Sequence, residues 1–509
     1  MLNRRTQSIA RLVVSIVLAL YVAGCVAPDL PTLTPTPQTP KDSEGQATTT
    51  QLPVCKSVPG ETVVIGFEDE IRAVVALMAE EFGIEIDLEQ YDGEIWVNDE
   101  EYQRRRLQQD EEYVKPFDAM FLITTDEKYS IRLIEALKER GIGASPNYET
   151  HLFGHSGGDS PFGKLPHNAP TPVPGTDPAR EQFALQQVLD VEAPVGAPSG
   201  SSIVEPEVVT VGVFDTAPVI DGESDHAFRK LEEKIWSAPV STVWYSTTAP
   251  TASDSSRDHG VFVSSLVQAF APKANVHLYR VLEDSGEADT WLLATKVMKF
   301  LGENSPSRTT PVVLNFSLGL WCLEPPPEHW QEEETPFAML DRLLTEAEEA
   351  GAVIVAAAGN DSNRFEDYVL GPAYPASAPF SISVGAAALS GSPTCYSHQA
   401  QVFAPGGDGI ASATPPATPI PDSASTYCVP NHESCTSDDC EYGVLGLSAD
   451  SPSHYAYWSG TSFASPIVSG LAARILATGE DPSLVKHRIH MCSPQNAAGE
   501  HVLGSIDGC

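Results

Sequence analysis

The sequence predicts an α/β protein with a mainly parallel β-sheet, preceded by a small α+β domain, and three observations support this fold class. Two apolar runs, residues 208–214 and 353–358, are typical of parallel strands buried on both faces. Runs with the 3.6-residue periodicity of amphipathic helices follow His259 and Ser462. Residues 61–152 show strand and helix patterns in the order βαββαβ, which predicts a separate, second domain.

Length, composition and charge set the bounds for this interpretation. The chain has 509 residues, more than one domain usually needs, and its 42% hydrophobic content is sufficient for a large core. The formal net charge of −39 argues against a nucleic-acid partner, which requires a basic surface. Acidic clusters such as residues 332–334 are interpreted as solvated surface rather than as metal sites.

Ser462 begins the second of the two helical runs and is the candidate nucleophile. The apolar positions behind it fall on one helix face: Phe463, Ile467, Val468, Leu471 and Ile475. The first turn of a helix has free N–H groups and the positive end of the dipole, so it favours an anion. A serine that attacks an acyl group needs this environment, because an oxyanion forms beside it. The alternative for a Gly-Thr-Ser sequence alone is an ordinary helix N-cap.

A serine hydroxyl needs a base to take its proton and a carboxylate to orient that base. Asp215 follows the first apolar strand, at the sheet end where open α/β sheets keep their sites. His259 begins the first helical run, with Asp258 as its expected N-cap. Taken singly, Asp215 is equally typical of a turn and His259 of a helix start.

Asn360 ends the second apolar strand, and its amide N–H can stabilise an oxyanion. An Asn-Asp turn after a strand is the alternative. The chain order Asp215, His259, Ser462 is the order found in subtilisin.

The sequence around these residues resembles the subtilisin-like serine proteases, the subtilases, over roughly residues 181–509. Beyond the segments that hold Asp215, His259, Asn360 and Ser462, the matching blocks are residues 184–188, 271–282, 315–319, 374–376, 383–386 and 404–406. The resemblance implies a parallel sheet with helices on both faces and endopeptidase activity. It implies Asp215, His259 and Ser462 as catalytic residues and Asn360 in the oxyanion hole. It also implies that the strand at Ser317, Leu318 and Gly319 binds protein or peptide substrates.

The resemblance further implies that no cofactor is required, while subtilases commonly bind structural Ca²⁺. The sequence departs from the subtilase motifs at two positions, and both departures are expected to affect the efficiency of catalysis more than its presence. Ala217 replaces the usual glycine after the aspartate motif, which matters where the turn needs a positive φ. After Gly260, Val261 replaces the usual threonine and removes a hydroxyl near the histidine.

Residues 61–153 are predicted to form a domain of βαββαβ order, the ferredoxin-like arrangement. Strands are expected at residues 62–67, 84–90, 119–124 and 146–152, and helices at 68–82 and 127–140. In subtilases a domain of this plan resembles the inhibitory propeptide, which implies that this chain's own prodomain occupies the site. The alternative is an unrelated binding domain. A Gly/Pro/Ser-rich linker at residues 154–180 is the expected processing region.

The chain begins with the features of an export signal, residues 1–24, in which arginines precede an apolar stretch. Its end resembles a bacterial lipobox, which implies lipidation of Cys25 and anchorage to a membrane; plain secretion is the alternative. A Pro/Thr-rich tether follows at residues 26–60. We therefore expect a cell-surface lipoprotein, with release to the medium after prodomain cleavage unless Cys55 is disulfide-bonded to the peptidase region.

Besides Cys25 the chain contains eight cysteines, an even number that suggests disulfides in an exported protein: Cys55, Cys322, Cys395, Cys428, Cys435, Cys440, Cys492 and Cys509. Four bridges have 105 possible pairings, so the sequence leaves the connectivity open. The group at residues 428–440 is interpreted as an insertion stapled by disulfides rather than as a metal site.

Two functions are consistent with these features. The first is an exported serine endopeptidase that acts on extracellular proteins. The second is a catalytically impaired subtilase-fold lipoprotein that serves as a surface binding or scaffold protein. The presence of all four site residues favours the enzyme.

Overall fold

The N-terminal part of the described chain is an antiparallel sheet covered by two helices. Its elements are β1 (Ser57–Gly66), α1 (Glu68–Phe82), β2 (Asp87–Gln90), β3 (Ala119–Thr124), α2 (Glu127–Lys138) and β4 (Gly143–His151). The strand order β2-β3-β1-β4 with antiparallel neighbours confirms the predicted ferredoxin-like α+β arrangement. We call residues 57–152 the N-terminal unit.

The structure is a computed structural model, and it describes residues 57–97, 117–152, 171–172, 208–218, 225–227, 257–320, 337–388, 391–407, 409–412, 427–430, 443–447 and 455–503. The predicted export signal, Cys25, residues 26–56 of the predicted tether, which include Cys55, and the linker apart from Thr171–Pro172 lie outside these residues. Residues 57–60 of the predicted tether are described, and they belong to β1. No helix among the described residues is long and apolar enough to span a membrane.

Strand β2 begins at Asp87, later than the sequence predicts, because the end of α1 uses the preceding residues. Gly83 adopts the left-handed conformation, with φ 65°, and Ile84 N donates to Ala79 O at 3.2 Å. This closing turn is a common helix terminus, and it leaves residues 84–86 outside the sheet.

The remaining described elements form a larger α/β region. In chain order they are β5 (Thr171–Pro172), β6 (Thr210–Thr216), β7 (Asp225–Ala227), α3 (His259–Phe270), β8 (Asn275–Leu282), β9 (Glu287–Asp289), α4 (Thr290–Asn304), β10 (Val312–Phe316), α5 (Ala338–Ala350), β11 (Ala352–Ala357), a 3₁₀ turn (Arg364–Glu366), β12 (Ser381–Ala387), β13 (Val402–Pro405), β14 (Gly409–Ser412), β15 (Tyr427–Pro430), β16 (Val444–Leu447), β17 (Tyr455–Trp458), α6 (Thr461–Leu476) and α7 (Pro482–Met491).

The central sheet has seven strands in the order β13-β12-β11-β10-β6-β8-β7. All neighbours are parallel except β7, which pairs antiparallel with β8. Alternate side chains face opposite sides of a strand, so Val211 and Val213 pack with α3 and α6, whereas Phe214 packs with α4 and α5. The mainly parallel sheet with helices on both faces confirms the predicted fold class.

The N-terminal unit packs on helices α4 and α5 of the α/β region. The sheet face that carries Val63 and Ile65 belongs to the same apolar cluster as these two helices, while its other face is covered by α1 and α2. Strand β9 extends the N-terminal sheet by pairing antiparallel with β4, Glu149 opposite Asp289 and His151 opposite Glu287. The two sheets are therefore joined through one continuous apolar layer.

Cys395 and Cys492 are each part of a disulfide bond. Disulfide formation by the other cysteines stays a prediction.

Candidate active site

Three adjacent parallel strands end at the same edge of the central sheet, and each leads into a candidate site residue. In β6, β10 and β11, Phe214, Phe316 and Ala356 lie side by side in register. Asp215 therefore lies next to the segment that begins at Ser317, and the turn with Asn360 follows on the third strand. The carboxyl ends of parallel strands are where open α/β sheets keep their sites.

Asp215 and His259 form a buried pair. Nδ1 of His259 lies 2.8 Å from Oδ1 and 2.9 Å from Oδ2 of Asp215. The carboxylate is fully buried and the imidazole nearly so. Because a carboxylate only accepts hydrogen bonds, Nδ1 carries a proton, and Nε2 of the neutral ring is free to act as a base.

Thr216, which the sequence analysis did not single out, connects the aspartate to the histidine helix. Its backbone N donates to Asp215 Oδ1 at 2.7 Å, and its Oγ1 donates to the Arg257 carbonyl at 3.1 Å. The same Oγ1 accepts from Gly260 N at 3.1 Å, so it serves as the cap of α3. Asp258 is at the N-cap position, as predicted, but its side chain makes no capping hydrogen bond. Thr216, at the end of β6, supplies the capping oxygen instead.

Ser462 is buried in the first turn of α6. Its Oγ donates to the Ser317 carbonyl at 3.1 Å, and Ser317 Oγ donates in return to the Ser462 carbonyl at 2.8 Å. Ser317, predicted to bind substrate, therefore contacts the candidate nucleophile directly. Leu318 is buried in the apolar core, so only its backbone remains for the substrate-binding role that the resemblance implies.

Asn360 has a fixed amide orientation. Its Oδ1 accepts from both N and Oγ1 of Thr461, each at 2.9 Å. The amide nitrogen consequently lies on the other side, where it approaches the backbone of Gly460. Gly359 N donates to Thr461 Oγ1 at 3.2 Å, so Thr461 holds the Asn360 turn at the N-terminus of the helix that carries Ser462.

A comparison with known protein families identifies the family of this chain. A sequence model of the subtilase family matches residues 205–504. The chain belongs to the subtilase family. No curated protein sequence matches it.

Solved structures that match the chain include two serine proteases. A cold-adapted subtilisin-like serine proteinase is 20% identical, with 64% of this chain and 97% of that chain covered and a TM-score of 0.38. The epidermin leader peptide processing serine protease from Staphylococcus aureus is 14% identical, with 87% of this chain and 96% of that chain covered and a TM-score of 0.50.

The two departures from the subtilase motifs are accommodated locally. Ala217 does not have a positive φ; among the described non-glycine residues only Ser305 and Asp367 do. Its carbonyl accepts a hydrogen bond from Arg280 Nη1 at 2.7 Å, so the turn after Asp215 is held without glycine. The side chain of Val261 is buried in the apolar core with α3.

Two aromatic side chains contact the imidazole of His259, a role that the sequence alone did not predict for either of them. Trp458 meets the ring edge-on at 5.3 Å between centroids, and Phe463 lies 5.1 Å away. Phe262 packs against both aromatic rings. Since Phe463 directly follows Ser462 in the chain, this packing places the serine and histidine segments side by side.

Within the described ranges no cluster of three or more His, Cys, Asp or Glu side chains has the arrangement of a metal site. The calcium binding that the resemblance implies therefore stays a prediction.

Gly260 leaves no room for a side chain. A Cβ at this position would lie 1.9 Å from the Thr216 carbonyl and 2.9 Å from Asp215 Cβ. We expect Gly260→Ala to lower the free energy of unfolding by about 1–3 kcal/mol, because the backbone must move apart. Urea unfolding measures the change.

Gly302→Ala is the matched control for this prediction. Among the described residues, a Cβ at position 302 of α4 would have only the Glu94 carbonyl within 4 Å, at 3.8 Å. Alanine there should raise the free energy of unfolding by up to about 1 kcal/mol through its higher helix propensity. Equal effects of the two substitutions would contradict the close contact at Gly260.

Proposed function

We propose that the protein is an exported serine endopeptidase that hydrolyses peptide bonds in extracellular proteins. The observation that carries the proposal is the buried hydrogen bond between Asp215 and His259, next to a serine in the first turn of a helix. This pairing supplies an oriented base, and the helix start favours the negative charge that forms during acyl transfer.

In the proposed reaction Ser462 Oγ attacks the scissile carbonyl carbon and forms a C–O bond. The hydroxyl first turns from the Ser317 carbonyl towards His259, whose Nε2 takes its proton. When the C–N bond breaks, the imidazolium returns this proton to the leaving amine. Water then repeats the sequence on the acyl-enzyme and releases the second product. Asp215 holds the tautomer of His259 and stabilises the imidazolium.

The oxyanion of the tetrahedral intermediate is proposed to accept hydrogen bonds from Asn360 Nδ2 and from the backbone N–H of Ser462. Support comes from the two hydrogen bonds that Thr461 makes to Asn360 Oδ1. They prevent the amide from rotating and so keep its N–H₂ group pointing in one direction. Donors fixed in advance are effective because they need no reorganisation during the reaction.

Hydrolysis of fluorescently labelled casein tests the proposed activity. Purified protein should release labelled peptides, and a fluorophosphonate should abolish the release. Insensitivity to the fluorophosphonate, or inhibition only by a metal chelator, would point to another mechanism.

We further propose that the N-terminal unit is an intramolecular inhibitor and that processing occurs in the linker at residues 154–180. The end of the N-terminal unit and the described part of the linker contact segments next to His259 and next to Ser462. Leu152 N donates to the Gly286 carbonyl at 3.0 Å, and nearby Asp284 pairs with Arg257, two residues before His259. Within the predicted linker, Thr171 of β5 pairs with Tyr457 of β17. Strand β17 is the element that precedes the helix of Ser462.

Asn147 is a suitable residue with which to test this inhibitory role. From β4 its Oδ1 accepts from Thr290 Oγ1 and Trp291 N, each at 3.0 Å, at the start of α4. Asn147→Ala removes these bonds across the interface. We expect the loss of these bonds to weaken the contact between the N-terminal unit and α4 by about 1 kcal/mol. The peptidase activity of the freshly purified full-length chain should therefore rise.

Asp126→Ala is the control. Asp126 caps α2 within the N-terminal unit, where its side chain accepts from Lys128 N. Its removal should destabilise the unit by a similar amount without affecting the interface, so activity should change less. Equal activation by both variants would contradict a specific role of Asn147.

Export and lipidation of Cys25 remain part of the proposal. Incorporation of radiolabelled palmitate in a bacterial host, and its loss in Cys25→Ala, would support anchorage to the membrane.

A further inference from the structure

His398 lies against the turn that presents Asn360, although the two are far apart in sequence. It lies between strands β12 and β13 and is fully buried. Its ring packs on Gly359, where a side chain would have no space: a Cβ there would lie 2.4 Å from both Cε1 and Nδ1 of the imidazole. Gly359 has φ 122°, which favours glycine, so close ring packing and backbone conformation both require this residue.

The hydrogen bonds of His398 hold the backbone on both sides of Asn360. On one side, His398 N donates to the Gly359 carbonyl at 3.1 Å. On the other, Asp361 N donates to His398 Nε2 at 2.9 Å. Because Nε2 accepts this bond, the neutral ring carries its proton on Nδ1. The bond thus depends on the chemistry of the imidazole and not only on its shape.

His398 is itself held in place. Its carbonyl accepts from Arg364 Nη2 at 3.4 Å, and Arg364 Nη1 forms a partly buried ion pair with Glu500 at 2.7 Å. Arg364 N also donates to the Cys395 carbonyl at 2.9 Å. A buried ring that is anchored in this way restricts the movement of the turn that it contacts.

We propose that His398 is a positioning residue for the oxyanion-binding amide. It fixes Gly359 and Asp361, while Thr461 fixes the amide oxygen of Asn360, and together they hold Nδ2 where the oxyanion forms. This inference rests on the proposed peptidase function. A donor that shifts by a fraction of an ångström binds the substrate as before but stabilises the transition state less, so kcat is expected to fall while KM stays nearly unchanged.

The test compares two substitutions of His398 in peptide hydrolysis. His398→Phe keeps a ring against Gly359 but has no acceptor for Asp361 N, and we expect it to lower kcat about tenfold with KM within about twofold. His398→Gln places an amide oxygen near the position of Nε2, so we expect it to retain most of the turnover. If His398→Phe does not fold, His398→Ala replaces it with the same expectation.

The decisive readout is the dependence on Asn360. In an Asn360→Ala background the Phe substitution should change kcat by less than about twofold, since the amide it positions is already absent. Ser493→Ala is the control, because this buried serine bonds to the Ile489 carbonyl in the C-terminal region and should leave kcat unchanged.

Two results would overturn the inference: an equal loss of kcat in both backgrounds, or wild-type kcat in His398→Phe. Failure of the proposed function looks different, because the wild-type protein would then show no hydrolysis that depends on Ser462. Urea unfolding of each variant separates a loss of stability from the expected loss of turnover.

Discussion

Replacing Ser462 by alanine is expected to lower kcat for peptide hydrolysis by about 10⁶-fold, a figure taken from a subtilisin rather than from this geometry. Alanine removes the only atom placed to form the acyl-enzyme bond in the proposed reaction. The helix start and the Asn360 amide remain, so weak catalysis above the rate in water should persist. Fold and stability should be little changed, because within the described part of the chain Oγ makes a single hydrogen bond, to the Ser317 carbonyl.

Steady-state hydrolysis of a chromogenic peptide checks this expectation, with Ser264→Ala as the matched control. Ser264 is also a fully buried serine, on the helix that begins at His259. Its loss should leave kcat within about twofold of wild type, as expected for a side chain outside the reaction. Comparable losses in both variants would mean that Ser462 contributes to packing rather than to bond formation.

Replacing Asp215 by asparagine is expected to lower kcat by about 10⁴-fold, a magnitude known from a serine protease of another fold. The substitution preserves size but places an N–H₂ group where Oδ2 now lies, 2.9 Å from His259 Nδ1. Because this group donates to Nδ1, the neutral imidazole carries its proton on Nε2, which then cannot accept the proton of the serine. The 2.7 Å bond from Thr216 N to Asp215 Oδ1 allows an amide oxygen to take that oxygen's place, so the fold should be retained.

Asp481→Asn controls for the loss of a negative charge. Asp481 caps the last described helix, α7, through a bond from Ser483 N that asparagine can also accept. Its kcat should match that of the wild type. An Asp215→Asn variant with near-normal kcat would contradict the assignment of Asp215 as the residue that orients the base.

Local patterns were sufficient to predict the elements that carry the site. The apolar run before Asp215 and the helical periodicity after Ser462 each depend on which residues of one element are buried. The structure has a strand and a helix at these positions, as predicted. The expected final strand of the N-terminal unit was placed too late, because pairing of Gly143 with Ile65 extends β4 at its start. Such pairing depends on a distant strand and leaves little trace in the local sequence.

Contacts between distant segments explain what the sequence analysis missed. Thr216 caps a helix that begins more than 40 residues later, and an aspartate next to His259 appeared to fulfil that role locally. The aromatic rings of Trp458 and Phe463 reach His259 across about 200 residues of chain. His398 lies in a segment of the sequence that contains no catalytic motif. Its contact with Asp361 forms only when the chain folds.

The central claim, that Ser462 is a nucleophile activated by His259 and Asp215, is tested most directly by labelling with a fluorophosphonate probe. The purified wild-type protein and the Ser462→Ala and Asp215→Asn variants are treated in parallel, and the modified residue is identified by peptide mass spectrometry. We expect an adduct on Ser462 in the wild type, slow labelling in Asp215→Asn and none in Ser462→Ala. An adduct on another residue, or equal labelling of all three proteins, would contradict the proposed roles of Ser462 and Asp215.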